Sequence, residues 1–315
     1  MKLTAKEQEA RKRVCLPLDG LTTMDELGAR VEELSPVVGL FKVGKETYTR
    51  FGPRAVEVVQ NAGANVFLDL KYHDIPNTVR GAARAATEMQ VYMFNVHASG
   101  GIEMMEAAVE GASSVSSNAF ISKPIIVGVT VLTSLDNLRY VQNSLPIIRN
   151  LPVRESIWRY VDEISLFPFK EAIHAEMTIA GEKDEVRKVH LQREYLEEFG
   201  KPFDMLLRKL GLENLVPDSV CNFALMTNGA GLDGIVCSAA DLHAVRDKLP
   251  KEFMYVTPGI KGPNTPAGAD QKRVFTPGNA IQDGSSILVV GRAITGAPDR
   301  VQAGYEILQD VANYL

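Results

Sequence analysis

Short apolar runs recur along the chain and alternate with segments whose apolar residues follow helical spacing. Residues 24–34 (MDELGARVEEL) and 102–110 (IEMMEAAVE) are two such segments, each with the three- and four-residue spacing of an amphipathic helix. Strands that alternate with helices are typical of a parallel sheet, and eight of them predict a (β/α)8 barrel. The predicted strands are residues 14–19, 38–44, 64–71, 91–98, 123–133, 232–238, 253–260 and 286–292.

One interval between predicted strands is far longer than the others. The fifth strand begins at residue 123 and the sixth at residue 232, whereas the other successive strands begin 21 to 33 residues apart. The excess is charged, with helical patterns at 183–199 and 203–210. We therefore predict an α/β fold, a TIM barrel built from residues 1–138 and 219–315 and interrupted after strand 5 by a mostly helical insertion, residues 139–218.

Composition and charge narrow the class of protein. The 315 residues are 45% hydrophobic and carry a net charge of −5, which argues against a nucleic-acid-binding surface. Three cysteines without a Cys-x-x-Cys motif indicate neither a disulfide framework nor a zinc site. The polar N-terminus does not resemble a signal peptide, and the longest apolar run, 125–132, is too short to span a membrane. We expect a soluble cytoplasmic protein.

Polar side chains gather where the predicted strands end. In the segment NVFLDLKYHDIPNTVRG (65–81), strand alternation places Phe67, Asp69 and Lys71 on one face, and Asp74 follows in the turn. An ordinary ion pair at a strand end would explain Asp69 and Lys71 if they stood alone. However, Asp19, Lys42, His97, Thr133 and Arg292 also end predicted strands. Since the active site of such a barrel lies at this end, these residues predict a catalytic site.

Two segments near the C-terminus suggest a phosphate site. Residues 258–273 (PGIKGPNTPAGADQKR) are rich in Gly and Pro and include Gln271, while strand 8 ends in Gly291 and Arg292. Each segment alone is consistent with a simple turn. Their position after strands 7 and 8, the usual phosphate site of these barrels, favours phosphate binding, for which Arg is well suited.

The segment DLKYHDIPNTV (69–79) resembles the signature of the orotidine 5′-phosphate decarboxylase family, Asp-x-Lys-x-x-Asp-Ile-Pro-x-Thr-Val. The resemblance covers roughly residues 14–136 and 220–310, which is nearly everything outside the insertion. Further matching segments are FKVGKE (41–46), VLTS (131–134), GLDGIVCS (231–238), VTPGI (256–260), ADQKRVFTP (269–277) and VVGRAI (289–294).

This resemblance implies conversion of orotidine monophosphate to uridine monophosphate and carbon dioxide, the last step of pyrimidine biosynthesis, with no cofactor and no metal. It also implies a homodimer with shared active sites, in which Asp74, Ile75 and Thr78 reach the site of the neighbouring subunit. The implied catalytic residues are Lys42, Asp69, Lys71 and Asp74. The implied substrate-binding residues are Asp19, Ile75, Thr78, Thr133, Pro258, Lys261, Gln271, Gly291 and Arg292.

The residue types fit the chemistry that this resemblance implies. Loss of carbon dioxide leaves a carbanion, which a cofactor-free enzyme must stabilise electrostatically and protonate. Lys71 could do both, and Asp69 would lie close to the departing carboxylate. Repulsion between those two negative charges is a second, smaller expected contribution.

Two features depart from the family pattern, and two other functions stay open. Lys261 stands where the family commonly has Arg, which removes a bidentate phosphate contact, and the insertion is not a usual family feature. One alternative is a magnesium-dependent sugar-phosphate decarboxylase or aldolase of the same superfamily. The other is a catalytically silent nucleotide-binding barrel. We expect His97 to be structural and Cys237 to be a small core residue.

Overall fold

The computed structural model describes residues 3–119, 121–132, 214–262 and 275–315, together with eight single positions between 187 and 208. The chain divides into two compact units, residues 1–133 with 219–315 and residues 134–218. The helices predicted at 183–199 and 203–210 lie almost entirely outside the described residues. The predicted helical character of the insertion therefore stays a prediction.

Eight parallel strands form a closed barrel in sequence order, with β8 returning to pair with β1. The predicted barrel is thus confirmed. Seven strands lie inside their predicted ranges, and the third extends one residue further, to Tyr72. The strands are β1 (Val14–Pro17), β2 (Leu40–Gly44), β3 (Asn65–Tyr72), β4 (Met93–His97), β5 (Ile125–Val129), β6 (Gly234–Val236), β7 (Met254–Pro258) and β8 (Ile287–Val289).

Helices cover the outside of the barrel between the strands. The helix Met24–Leu34 has the predicted bounds, begins at a capping box formed by Thr23 and Glu26, and buries Leu27, Val31 and Leu34. Within the described ranges, no helix combines the length and apolar character needed to cross a membrane. The described helices are α1 (Ala5–Arg13), α2 (Met24–Leu34), α3 (Lys45–Phe51), α4 (Arg54–Asn61), α5 (Pro76–Glu88), α6 (Ile102–Ala119), α7 (Leu215–Gly229), α8 (Leu242–Val245), α9 (Pro277–Gln282), α10 (Arg292–Thr295) and α11 (Arg300–Ala312).

The interior of the barrel changes from apolar to charged along the strands. Leu40 and Phe67 belong to an apolar layer in which each is nearly inaccessible to solvent. The next residues on the same face of β2 and β3 are Lys42 and Asp69, since side chains two apart on a strand share a face. The other members of the apolar layer are Cys15, Met93, Val127, Val256, Ile287 and Val289.

The pairing of β3 with β4 becomes irregular where the charged residues begin. Leu68 pairs with Phe94, but the next registered pair is Tyr72 with Val96, so three residues of β3 lie opposite one residue of β4. Within this bulge Lys71 has a φ of 52°, a left-handed conformation that is costly for a residue with a Cβ. The regular alternation predicted from the sequence therefore stops before Lys71.

Candidate active site

Four charged side chains form a continuous chain of ion pairs at the carboxyl end of β1 to β3. The Nζ of Lys42 lies 3.1 Å from an Oδ2 of both Asp19 and Asp69. The Nζ of Lys71 lies 2.5 Å from Oδ1 of Asp69. The charges thus alternate in sign along the cluster. The Asp19 side chain is 44% exposed, whereas that of Asp69 is 9% exposed.

The backbone around β1 and β2 makes room for this cluster. The amide of Leu18 donates to the carbonyl of Lys42, and the hydroxyl of Thr47 donates to the carbonyl of Leu18. These bonds hold the end of β1 against β2, so that Asp19 lies beside Lys42. A Cβ on Gly44 would lie 2.7 Å from Oδ1 of Asp19 and 2.8 Å from Nζ of Lys42. Glycine at this position therefore leaves the space that the ion pair occupies.

The cluster keeps its buried members charged. Burial raises the pKa of Asp69, but the positive charges of Lys42 and Lys71 outweigh it and hold that pKa below its ordinary value. Burial likewise lowers the pKa of Lys42, and the negative charges of Asp69 and Asp19 outweigh it, so this pKa is raised. At neutral pH both side chains are ionised, and the site carries fixed charges of both signs.

A cavity of about 180 Å³ opens directly above the cluster. Lys42, Asp69 and Lys71 form its charged wall, whereas aliphatic and aromatic side chains form the rest. A mostly apolar lining with a few charged groups on one side is typical of a site for a small molecule. The apolar and backbone-rich positions around the cavity are Phe67, Val129, Val131, Leu132, Val236, Pro258 and Val289.

A second pocket lies between the ends of β7 and β8 and shares Val289 with the first. It presents two cations, Lys261 and Arg292, beside the backbone of Gly259 and Gly291. In the part of the chain that the structure describes, neither cation forms an ion pair. Pockets with unpaired cations and exposed backbone amides suit an anion such as a phosphate.

Comparison with known proteins identifies the family. Residues 12–146 and 203–307 match the model of the "Orotidine 5'-phosphate decarboxylase / HUMPS family". The chain belongs to this family.

Individual family members align over nearly the whole chain. An orotidine 5′-phosphate decarboxylase from Syntrophus aciditrophicus is 35% identical over 315 residues, which is 100% of this chain and 99% of the relative. One from Moorella thermoacetica is 36% identical over 284 residues, covering 89% of this chain and 85% of the relative. The crystal structure of orotidine 5′-phosphate decarboxylase from Lactobacillus acidophilus superimposes with a TM-score of 0.63 at 25% identity, covering 95% of this chain and 98% of that chain.

The alignments differ over the segment after strand 5. The family model leaves residues 147–202 unmatched, whereas it matches residues 139–146 and 203–218 of the predicted insertion. The S. aciditrophicus relative nevertheless aligns through this segment, because its match covers the whole chain. The bounds of the insertion and its helical character stay a prediction.

Three predicted site residues of this family lie outside the charged cluster of their own chain. Asp74, Ile75 and Thr78 are exposed residues at the start of α5, and the Ile75 side chain is 66% exposed. A carboxylate oxygen of Asp74 accepts a hydrogen bond from the Ile75 amide at 2.7 Å. Of the remaining predicted residues, Asp19, Lys42, Asp69, Lys71, Pro258, Lys261, Gly291 and Arg292 lie at the two pockets or in the cluster, whereas Thr133 and Gln271 fall outside the described residues.

Two histidines stand beside the site. The rings of His73 and His97 lie 5.4 Å apart between centroids. Burial, followed by electrostatic interactions with His73, Lys45 and Lys71, lowers the pKa of His97 to about 4. His97 is therefore largely neutral at pH 7, and the structural role expected for it stays a prediction. Cys237 is fully buried, as expected for a core residue.

The sequence interpretation missed Asn95, which contacts two members of the cluster. Its side chain is 1% exposed, donates from Nδ2 to Oδ1 of Asp69 at 2.6 Å, and accepts from the Lys71 amide at 2.8 Å. A signal was present, since Asn in the middle of the apolar run VYMFNVHA (91–98) requires buried hydrogen-bond partners. Within the described ranges, no group of three His, Cys, Asp or Glu side chains is arranged to hold a metal ion.

Proposed function

We propose that this family member is an orotidine 5′-phosphate decarboxylase, which converts orotidine monophosphate to uridine monophosphate and carbon dioxide without a cofactor. The observation that carries the proposal is the partly buried Lys42–Asp69–Lys71 array along one wall of an apolar cavity. The relatives with this printed name align over 89% to 100% of the chain. Loss of catalysis in a silent barrel is disfavoured because all members of the array are present.

The proposed reaction breaks the bond between the pyrimidine ring and its carboxylate. The electron pair stays on the ring carbon, and carbon dioxide leaves. The ammonium of Lys71 offsets the developing negative charge and then transfers a proton to that carbon, after which water reprotonates the amine. Because Lys71 is already paired with Asp69, its charge needs little reorganisation during the reaction. Repulsion between Asp69 and the substrate carboxylate is a secondary contribution in this proposal.

The proposed binding of the rest of the substrate follows the two pockets. The phosphate would occupy the pocket of Lys261, Gly291 and Arg292. Gln271 would also hold it, and the loop after strand 7 would close over it. The exposed end of Asp19 would accept hydrogen bonds from the ribose hydroxyls. Thr133 and Pro258 would contact the pyrimidine, and Pro258 lines the cavity. Phosphate binding far from the ring can supply energy for orientation at the reacting carbon.

The proposed active unit is a homodimer that acts in the cytoplasm, where pyrimidine nucleotides are made. Asp74, Ile75 and Thr78 lie close together on the surface at the start of α5, where they are accessible to a second copy of the chain. In the dimer these three residues would complete the neighbouring site. Sedimentation of the purified chain, compared with an Ile75→Asp variant, tests this assembly, and a monomeric parent chain contradicts it.

The insertion is proposed to be a helical addition to the barrel, residues 139–218. Deletion of residues 140–216 tests what it does, with dimerisation and activity as separate measurements. Loss of either property would assign the segment to assembly or to the site. Retention of both would contradict a role as a lid or as a structural extension.

The magnesium-dependent alternative predicts a different response to a chelator. The two carboxylates of the cluster each contact the ammonium of Lys42, so a cation bound there would have to displace it. We therefore expect orotidine monophosphate absorbance to fall on adding the protein with excess chelator, and to stay constant with Lys71→Ala. Lys12→Ala, which removes an exposed lysine of α1, is the matched control and should keep full activity. A folded dimer that leaves the nucleotide unchanged contradicts the proposal and directs the search to magnesium and sugar phosphates.

A further inference from the structure

At the bulge in β3, the backbone amide of Lys71 donates to a side chain and not to a strand carbonyl. At the bulge, the residues from Asp69 to Lys71 lie opposite Asn95 alone, since Leu68 pairs with Phe94 and Tyr72 with Val96. The amide of Lys71 donates to the side-chain oxygen of Asn95 at 2.8 Å. The side chain of Asn95 thus stands where a strand carbonyl would otherwise be, and it stabilises the left-handed conformation of Lys71.

The other end of the same amide contacts the carboxylate that holds the Lys71 ammonium. Nδ2 of Asn95 donates to Oδ1 of Asp69 at 2.6 Å, and this oxygen also accepts from Nζ of Lys71. Oδ2 of Asp69 faces Lys42. Because an amide N–H can only donate and a carboxylate can only accept, the orientation of the Asn95 side chain is determined by its two partners.

We propose that Asn95 is a positioning residue for the decarboxylation, which fixes the backbone of Lys71 and the carboxylate of Asp69 relative to each other. The inference rests on the proposed function, in which Lys71 delivers the proton. Asn95 does not line the cavity, so it acts through these two residues. The position requires one donor and one acceptor on a short side chain, which excludes aliphatic residues and an ionised Asp.

The first test compares Asn95→Ala with the parent enzyme in steady-state kinetics. The variant should lose about 10- to 100-fold in kcat, as expected for hydrogen bonds to a charged group, with KM changed by less than about threefold. Thr87→Val is the matched control, because it removes a buried hydrogen bond in α5 away from the site. A parent-like kcat in Asn95→Ala, or an equal loss in Thr87→Val, would overturn the proposal.

The second test uses Asn95→Asp, which keeps the size of the side chain and the acceptor for the Lys71 amide. Its ionised carboxylate would face Asp69, so the deficit in kcat relative to the parent should grow as the pH rises. A deficit that does not change with pH would show a merely structural effect and would contradict the inference.

A third measurement separates this inference from the proposed function. Carbon-13 titration of the Asp69 carboxyl should show a higher pKa in Asn95→Ala than in the parent, because a donor to the charged form is lost. If the parent does not decarboxylate orotidine monophosphate but the Asp69 pKa rises in the variant, the function is wrong and the positioning role stands. If the parent is active and the pKa does not move, the positioning role is wrong and the function stands.

Discussion

The two ends of the candidate site are built in opposite ways. Around β1 to β3, the charges of Asp19, Lys42, Asp69 and Lys71 all have partners of opposite sign within the chain. Around β7 and β8, the cations of the second pocket have no ion-pair partner among the described residues. The first end is thus electrostatically paired within the chain, whereas the described residues of the second end offer its cations no carboxylate.

This difference separates the tasks of the two ends. A paired, buried array costs no rearrangement when charge develops in the transition state, so it should act mainly on kcat. In the proposed function, the unpaired cations gain a partner when the substrate phosphate binds, so they should act on the efficiency with which substrate is captured and oriented. Variants of the two ends should therefore differ in which kinetic constant changes and in their dependence on the phosphate group.

The largest effect is expected at the inner end of the paired array. Lys71→Ala removes the proposed proton donor together with the charge that stabilises the carbanion. We expect kcat to fall by about 10⁴-fold or more, measured by the loss of orotidine monophosphate absorbance. Thermal unfolding of the variant must show a folded protein. If kcat falls by less than about tenfold, Lys71 is not the proton donor, and the two ends of the site do not differ in their effect on kcat.

Arg292→Ala tests the unpaired end. We expect kcat/KM for orotidine monophosphate to fall on the order of 100-fold, because charge-assisted hydrogen bonds to the phosphate are lost. Orotidine without the phosphate should react equally with both proteins. Arg54→Ala, an exposed arginine of α4, is the matched control and should change neither rate. Equal losses on both substrates would mean that Arg292 does not bind the phosphate.

Gly44→Ala disturbs the paired end without removing a charge. The added Cβ would meet only the flexible ends of Asp19 and Lys42, and the backbone of Gly44 is extended, so folding should tolerate it. We expect kcat to fall about tenfold, since the displaced charges must be reorganised. Gly234→Ala is the contrasting variant, because its Cβ would lie 2.3 Å from the carbonyl of Met254.

We expect Gly234→Ala to be the less stable of these two glycine variants. Gly234→Ala should lose about 1–3 kcal/mol in the free energy of unfolding by denaturant, because backbone must move to relieve the overlap. Gly44→Ala should stay close to the parent. If Gly44→Ala unfolds more readily than Gly234→Ala, the glycine serves the barrel rather than the ion pairs.

Asp69→Asn shows how much of the barrel's stability depends on the paired array. Removing a buried carboxylate between two lysines should cost about 1–3 kcal/mol at pH 7. The folded pKa of Asp69 is lowered, so its contribution is fully present above the unfolded pKa of about 4 and is lost as the pH falls through the folded value. The difference in Tm between parent and variant should therefore shrink below about pH 4. A constant difference from neutral to acidic pH would contradict this linkage.

The barrel could be predicted from the sequence because its strands are short, mostly apolar runs and amphipathic helical segments separate most of them. The alternation along β2 and β3 also placed Lys42 and Asp69 correctly, since both follow apolar residues of the interior by two positions. The geometry at Lys71 could not be read in the same way. Lys71 lies in a bulge, and a bulge is recognised only from the pairing of β3 with β4. The contact of Asn95 with the Lys71 amide lies at the same bulge.

The smallest effect is expected at Lys261, where this chain differs from the Arg common in the family pattern. Lys261→Arg keeps the positive charge at the phosphate pocket and adds a second donor to the same oxygens. If the pocket binds the phosphate, kcat/KM for orotidine monophosphate should rise, by less than about threefold. Orotidine without the phosphate should show no change. A loss of kcat/KM comparable to that of Arg292→Ala would mean that Lys261 makes a contact that only an ammonium can make. The cations at the unpaired end would then be as sensitive to substitution as the charges at the paired end.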